Sequence, residues 1–183
     1  NLRLNVEQYF FGPPSAYKNF LVQMTPEGFI FKTDTIPRYA LNACTMGKDS
    51  SLIIVGSKRR LGGSTSETSM YFWRMDKNGV LDSWIELNPG HPNCVANKVE
   101  QLPNGHYLIS GFVGSRVASY EVDSLGGNPV FHQWYQTPDL SNINYGAVGL
   151  VGSDNWFVAG DGIKTFVSIY DSTRSKVRSE EHT

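Results

Sequence analysis

The stretch Ile53-Ile54-Val55-Gly56 decides the fold, because a short apolar run that ends in glycine occurs four times along the chain. The other copies are Tyr9-Phe10-Phe11-Gly12, Leu108-Ile109-Ser110-Gly111 and Phe157-Val158-Ala159-Gly160. The four glycines are separated by 44, 55 and 49 residues. Strand-like segments that recur near this period indicate a repeat architecture of stacked β-units.

A second recurring segment follows each glycine and is typical of a strand that ends in a tight turn. Its clearest copy is Tyr71-Phe72-Trp73-Arg74-Met75-Asp76-Lys77-Asn78-Gly79, and related copies occupy residues 20–28, 119–126 and 168–174. Aspartate caps such turns through its side chain, and glycine adopts the positive φ that they require. Each copy is therefore predicted to be one half of a hairpin.

Further strands are predicted before and after these two segments, so that one unit holds four short antiparallel strands. No stretch shows a convincing 3.6-residue apolar period. Four strands per unit of about 50 residues predict an all-β protein, a β-propeller of four-stranded antiparallel blades. A β-sandwich also spaces its strands regularly, but it has no reason to repeat turn residues at a fixed interval. We expect blade units at about 1–38, 39–90, 91–142 and 143–183.

The first and last units are incomplete in pattern. Only Asn1 to Val6 precede the first glycine-ended run, and the last unit fades into the polar segment Arg174 to Thr183. We therefore expect about three and three-quarter blades that belong to a larger propeller, completed by another polypeptide or by further blades of this one. The alternative is a divergent first blade that closes a four-bladed ring by itself.

Composition excludes several partners but identifies none. The chain has 183 residues, 40% hydrophobic and 18% charged, with a net charge of −1. This balance lacks the basic footprint of a nucleic-acid-binding protein. No apolar run reaches 18 residues, so no membrane span is predicted. The two cysteines, Cys44 and Cys94, are expected to be thiols rather than a disulfide, and they leave the compartment open.

One segment differs from its counterparts in the other units. The connection Ser57 to Ser69 is long and rich in Gly, Ser and Thr, whereas the matching connections are short. Long loops on rigid scaffolds often carry function, so we expect a partner to bind at Lys58, Arg59, Arg60 and Glu67. The alternative is a solvated hairpin tip without a ligand.

No pattern in the sequence predicts catalysis, a metal site or a cofactor. His91-Pro92-Asn93-Cys94 holds two possible metal ligands but has no second pair, and calcium-loop spacing is missing around Asp154, Asp161 and Asp171. Nucleophile-elbow, Walker-type and dinucleotide glycine motifs are absent. The four tryptophans are expected to pack in the blades, with Trp84 and Trp134 at corresponding places 50 residues apart.

The segment Asp76-Lys77-Asn78-Gly79-Val80-Leu81-Asp82-Ser83-Trp84 resembles the repeats of the quinoprotein-like (PQQ-type) β-propeller superfamily. Those repeats carry an Asp, a Gly and then a Trp around one turn. The copy from Asp123 to Trp134 is stretched by Gly126-Gly127-Asn128-Pro129. The chain is also similar in style to secreted or surface propellers of bacteria. The superfamily includes quinone-dependent dehydrogenases and many non-enzymatic scaffolds, and no residue here indicates a quinone site.

These observations predict a non-catalytic scaffold or binding module that contacts a protein or glycan partner. We expect it outside the cytoplasm, extracellular or at the cell surface, within a larger assembly. The alternative is an enzyme with its active site at the central mouth of the propeller. That hypothesis requires polar or titratable side chains that converge from several blades.

Overall fold

The computed structural model describes residues 3–10, 17–24, 30–37, 39–59, 68–87, 93–114, 116–134, 145–152, 155–161, 165–173 and 175–182. These residues form fifteen β-strands and no helix. The strands are β1 (Arg3–Phe10), β2 (Tyr17–Met24), β3 (Ile30–Pro37), β4 (Tyr39–Met46), β5 (Leu52–Arg59), β6 (Thr68–Met75), β7 (Leu81–Leu87), β8 (Cys94–Gln101), β9 (Tyr107–Val113), β10 (Arg116–Val122), β11 (Val130–Gln133), β12 (Tyr145–Val151), β13 (Asn155–Asp161), β14 (Thr165–Tyr170) and β15 (Lys176–His182).

The strands form four antiparallel sheets, each following chain order. Sheet 1 contains β1–β3, sheet 2 β4–β7, sheet 3 β8–β11 and sheet 4 β12–β15. Sheets 2 to 4 have four strands each, whereas sheet 1 has three among the described residues. The chain is thus an all-β protein built of four-stranded antiparallel propeller blades. The prediction of about three and three-quarter blades is confirmed, since the described part of the first unit shows no strand before β1.

Contacts divide the chain into two compact units, residues 1–41 and residues 42–183. The first unit is essentially sheet 1. Its strands β1 and β2 pair from Arg3 opposite Met24 to Phe10 opposite Tyr17. Strand β2 then pairs with β3, with one irregularity near Met24.

In the second unit, sheets 2 and 3 pack face to face. Alternate residues of β6 point to this interface because side chains of a strand alternate between the two faces of its sheet. Phe72 and Met70 are fully buried there, together with Ile109 and Tyr107 of sheet 3. The rings of Phe72 and Tyr107 lie 5.9 Å apart between centroids. An inter-blade core therefore joins the two sheets.

Sheets 3 and 4 pack in the same manner around a second core. Trp134 is buried at its centre, and its indole nitrogen donates a 2.9 Å hydrogen bond to the Ser119 hydroxyl. Its ring contacts Trp156 and Tyr170 of sheet 4 at centroid distances of 5.9 and 5.2 Å. Burying an indole N–H without a hydrogen-bond acceptor costs free energy, and the Ser119 hydroxyl supplies that acceptor.

Aspartate closes the β6–β7, β10–β11 and β14–β15 hairpins, as predicted. One carboxylate oxygen of Asp123 accepts hydrogen bonds from the backbone N–H groups of Leu125 and Gly127, at 2.9 and 2.7 Å. Asp76 and Asp171 make the same pair of contacts in their turns. Gly126 follows three residues after Asp123 with φ of 86°. The turn interpretation of these aspartates is confirmed.

The repeated glycines do not end their strands, contrary to the prediction that each apolar run is a strand ending in glycine. Gly111 lies inside β9, which continues to Val113, and Gly56 and Gly160 likewise lie within β5 and β13. A Cβ at Gly111 would collide with the backbone carbonyl of Val95 on β8. Glycine is required there because the neighbouring strand approaches too closely for any side chain. Gly12 lies outside the described residues.

Candidate functional site

The structure places two of the four residues predicted to bind a partner. Lys58 and Arg59 are the last residues of β5 and pair with Ser69 and Thr68 of β6. They are strand residues, so the connecting segment is shorter than the predicted loop from 57 to 69. Arg60 and Glu67 lie outside the described residues, and the side chain of Arg59 is also outside them.

Lys58 lies beside a stack of three aromatic rings. Its Nζ is 5.8 Å from the centroid of the Tyr71 ring, within the range of a cation–π interaction. Tyr71 stacks on Trp73 at 5.5 Å and on Trp84 at 6.2 Å, with interplanar angles of 20° and 19°. Trp73 and Trp84 are direct cross-strand neighbours on β6 and β7. The strand register therefore assembles the stack.

Only one ring of this stack is open to solvent. Tyr71 and Trp73 are buried, whereas Trp84 is 55% exposed. An indole that is held by stacking on one side and exposed on the other offers a rigid apolar contact surface. Trp and Tyr are enriched at binding hot spots for this reason.

Other large apolar side chains are exposed on the outer strands β7 and β11 and on the turns that precede them. Together with Trp84 they form what we call the outer-strand surface: Val80, Leu81, Trp84, Leu125, Val130 and Phe131. The Ser83 hydroxyl donates a 2.7 Å hydrogen bond to the carbonyl of Leu125, which holds β7 of one blade against the turn of the next. Exposed apolar side chains that recur along neighbouring outer strands favour an interaction surface at this edge of the blades.

The buried guanidinium of Arg74 connects β7 to the turn before β5. The Arg74 guanidinium forms ion pairs with Asp82 of β7 and with Asp49, the latter at 2.6 Å. Hydrogen bonds from the Ser51 hydroxyl and backbone N–H, with a further contribution from Arg74, lower the pKa of Asp49 to about 2. The Asp49 carboxylate therefore remains ionised at neutral pH, and its ion pair with Arg74 persists there.

Trp84 and Trp134 were predicted to correspond because they lie 50 residues apart, but they are not structural counterparts. Trp84 pairs with Trp73, and Phe131 pairs with Tyr120 at the equivalent position of sheet 3. Trp84 and Phe131 each stand eight residues after their turn aspartate. Trp134 lies three residues further on and contributes to the core between sheets 3 and 4. The predicted correspondence is therefore wrong, and counting from the turn aspartate finds the true one.

Titratable groups elsewhere in the described residues make pairs rather than clusters. His106 Nδ1 lies 2.8 Å from a carboxylate oxygen of Glu121 beside the β8–β9 turn. Within these residues no group of three His, Cys, Asp or Glu side chains is arranged to hold a metal ion. Cys44 and Cys94 are both free thiols, and burial raises the pKa of Cys44. His91 and Asp154 fall outside the described part of the chain.

The described residues include no helix with the length and apolar character needed to cross a membrane. No known protein-family model matches the chain, and no curated protein matches it.

Solved structures show a likeness of fold. A protein of unknown function from Bacteroides caccae matches with a TM-score of 0.59 and 12% identity, covering 90% of this chain and 56% of that one. A protein from Lactobacillus plantarum matches with a TM-score of 0.55 and 13% identity, over 90% of this chain and 53% of that one. Prolyl oligopeptidase B from Galerina marginata matches with a TM-score of 0.52 and 10% identity, over 97% of this chain and 25% of that one.

At these identities the likeness concerns the fold alone, and it is consistent with propeller blades. The chain spans about half the length of the first two structures and a quarter of the third. The finer resemblance to quinoprotein-like propellers stays a prediction.

Proposed function

We propose that this chain is a non-catalytic propeller scaffold that binds a protein partner through the outer-strand surface. The observation that carries the proposal is the exposed indole of Trp84, 55% open to solvent and stacked on the buried Tyr71. The stack limits the rotamers of the indole before binding, so less conformational entropy is lost when a partner covers it. Lys58 lies beside the same aromatic stack, and we propose that Arg59, Arg60 and Glu67 add to the contact with the partner.

A protein partner accounts for this surface better than a glycan does. Val80, Leu81 and Val130 on the same outer strands and turns are branched aliphatic side chains, and each is more than half exposed. Interface centres are rich in aromatic and aliphatic groups, whereas the rim is polar. We further propose that the protein acts outside the cytoplasm, at the cell surface or in a secreted assembly, as the resemblance to secreted bacterial propellers implies.

Photo-cross-linking from the native chain tests the proposal. Trp84 is replaced by benzoylphenylalanine in cells of the source organism, and cross-linked peptides are identified by mass spectrometry. The matched control places the same group at Lys176, which is exposed on β15 of sheet 4. We expect position 84 to cross-link saturably to one protein that the control does not capture.

Affinity measurements with the cross-linked protein then distinguish a protein partner from a glycan ligand and from the enzyme alternative. Trp84→Ala should weaken binding of that protein at least about tenfold, as truncation of a hot-spot aromatic does. Unchanged affinity would refute the proposal, as would identical cross-links from positions 84 and 176. Retention of an oligosaccharide on a glycan array, abolished by the same substitution, would assign the surface to a glycan instead. Turnover of a substrate by the purified chain would favour the enzyme alternative.

A further inference from the structure

An extra residue interrupts the pairing of β6 with β7 just before the exposed tryptophan of β7. Arg74 is opposite Ser83 and Met75 is opposite Leu81, so Asp82 is the additional residue of a β-bulge. A bulge shifts the register by one position, and such a shift moves every following side chain to the other face of the sheet. The bulge therefore decides which face of sheet 2 the indole occupies.

Trp84 and its neighbour Ser83 point to opposite faces of sheet 2, because side chains alternate along a strand. The Ser83 hydroxyl bonds to the carbonyl of Leu125 in sheet 3, whereas the Trp84 ring stacks on Tyr71. A register without the extra residue would direct the indole toward sheet 3 and away from the stack. The place of Trp84 on the aromatic stack hence depends on the bulge.

Arg74 holds the extra residue through its side chain. Its guanidinium forms an ion pair with Asp82 through Nη1 and another with Asp49 of the β4–β5 turn through Nη2, at 2.6 Å. The Arg74 side chain is 11% exposed, and its Nε is buried without a hydrogen-bond partner among the described residues. Ion pairs of a shielded cation are stronger than those at the open surface, because water screens them less.

The ion pair is specific to the blade that carries the exposed tryptophan. The extra residue stands six positions after the turn aspartate, and the same places in sheets 3 and 4 hold Pro129 and Val177. Val177 is likewise the extra residue of a bulge. The places that correspond to Arg74, two positions before the turn aspartate, hold Glu121 and Ile169. The bulge thus recurs in another hairpin, whereas neither of these two hairpins has residues that could form such an ion pair.

We propose that Arg74 is a positioning residue for partner binding, which holds the bulge at Asp82 and so keeps the Trp84 indole on its aromatic stack. This inference rests on the proposed function of the outer-strand surface. Without the ion pair, β7 would sample other registers, and only the molecules with the indole in place would bind. The apparent affinity falls by the fraction of molecules in the binding-competent state.

Breaking one or the other ion pair of the same guanidinium tests the proposal. Asp82→Ala removes the contact to the bulge. The matched control, Asp49→Ala, removes the contact to the β4–β5 turn. Each variant leaves Arg74 one carboxylate, so neither leaves the buried cation unpaired, and both are expected to fold.

The first measurement is fluorine NMR of the full chain labelled with fluorotryptophan, in which Trp84→Phe identifies the resonance of Trp84. We expect Asp82→Ala to shift and broaden that resonance and to leave the resonance of Trp156, in sheet 4, unchanged. Asp49→Ala should leave the Trp84 resonance in place. It should nevertheless lower the melting temperature, because Asp49 accepts hydrogen bonds from the backbone N–H and the hydroxyl of Ser51.

The second measurement is the affinity of each variant for the purified protein that cross-links from position 84. Asp82→Ala should weaken binding at least about fivefold, as the fraction of competent molecules falls. Asp82→Asn keeps an oxygen that accepts a hydrogen bond from the guanidinium, so it should restore most of the affinity. Asp49→Ala should bind as the wild type does.

The outcomes distinguish this inference from the proposed function. An unchanged Trp84 resonance in Asp82→Ala would overturn the positioning role and leave the proposed function standing. Equal losses of affinity in Asp82→Ala and Asp49→Ala would also overturn it, since the loss would then follow general destabilisation. If the resonance moves as expected but the affinity does not change, the position of the indole has no bearing on binding. The proposed function then fails together with this inference.

Discussion

Phe72→Ala should be the most destabilising simple truncation between sheets 2 and 3. The phenyl ring is 0% exposed and lies 5.9 Å from the Tyr107 ring of the neighbouring sheet. It also lies against Gly126, where any Cβ would collide with it. Removing a buried phenyl ring costs about 3–5 kcal/mol, because a cavity remains that the structure fills only in part. That loss is a fifth or more of the stability of a typical domain, about 5–15 kcal/mol.

The assay is urea unfolding of the wild type and the variant, combined with amide hydrogen exchange. The core joins residues of sheets 2 and 3, so the variant should lower the exchange protection of β6 and β9 together. The matched control is Leu125→Ala, which truncates a side chain that is 63% exposed. We expect the control to change the free energy of unfolding by no more than about 0.5 kcal/mol.

Two results would refute this reasoning. A loss below about 1 kcal/mol for Phe72→Ala, with an unchanged denaturant dependence, would mean that the inter-blade core is not packed as described. Loss of exchange protection in sheet 2 alone, with sheet 3 unaffected, would mean that the blades unfold independently of each other.

Three further predictions concern the aspartate of the β4–β5 turn, two glycines of sheet 3 and the core between sheets 3 and 4. The pKa of Asp49 is about 2 in the folded chain, below its ordinary 3.8, so its contribution to stability is present above about pH 4 and is lost as the pH falls through about 2. Asp49→Asn should flatten the acid side of the melting temperature against pH. Gly111→Ala should cost about 2 kcal/mol or more in chemical unfolding because its Cβ meets the neighbouring backbone, whereas Gly105→Ala, strained only by its φ of 87°, should cost about 1 kcal/mol. A double-mutant cycle of Trp134→Phe and Ser119→Ala should give a coupling of about 1 kcal/mol for their hydrogen bond, and additive losses would contradict it.

The sequence predicted the hairpin turns because the physics of a turn is local. Asp123 and Gly127 lie within five residues of each other, and their contact depends only on the backbone between them. The same applies to the positive φ of Gly79 and Gly126. The repeat of these turns then predicted the number of strands in each sheet.

The candidate site was only partly predictable. The long connection after β5 directed attention to Lys58, and the structure adds that its ammonium group lies beside Tyr71. The exposed residues Leu125, Val130 and Phe131 were missed, because exposure on an outer strand depends on neighbouring sheets rather than on the local sequence. The signal in the sequence that could have identified them is their position within eight residues after the turn aspartate Asp123.

The amino-acid sequence by itself determined the all-β class, the four-stranded unit and the aspartate–glycine turns, since each follows from side chains a few residues apart. Only the tertiary structure decided which residues face a neighbouring blade. Side chains on a strand alternate, so a shift of one position moves a residue to the other face of its sheet. Trp134 is buried between two blades while Trp84 is half exposed. That difference arises from strand register and from the packing of one sheet on the next.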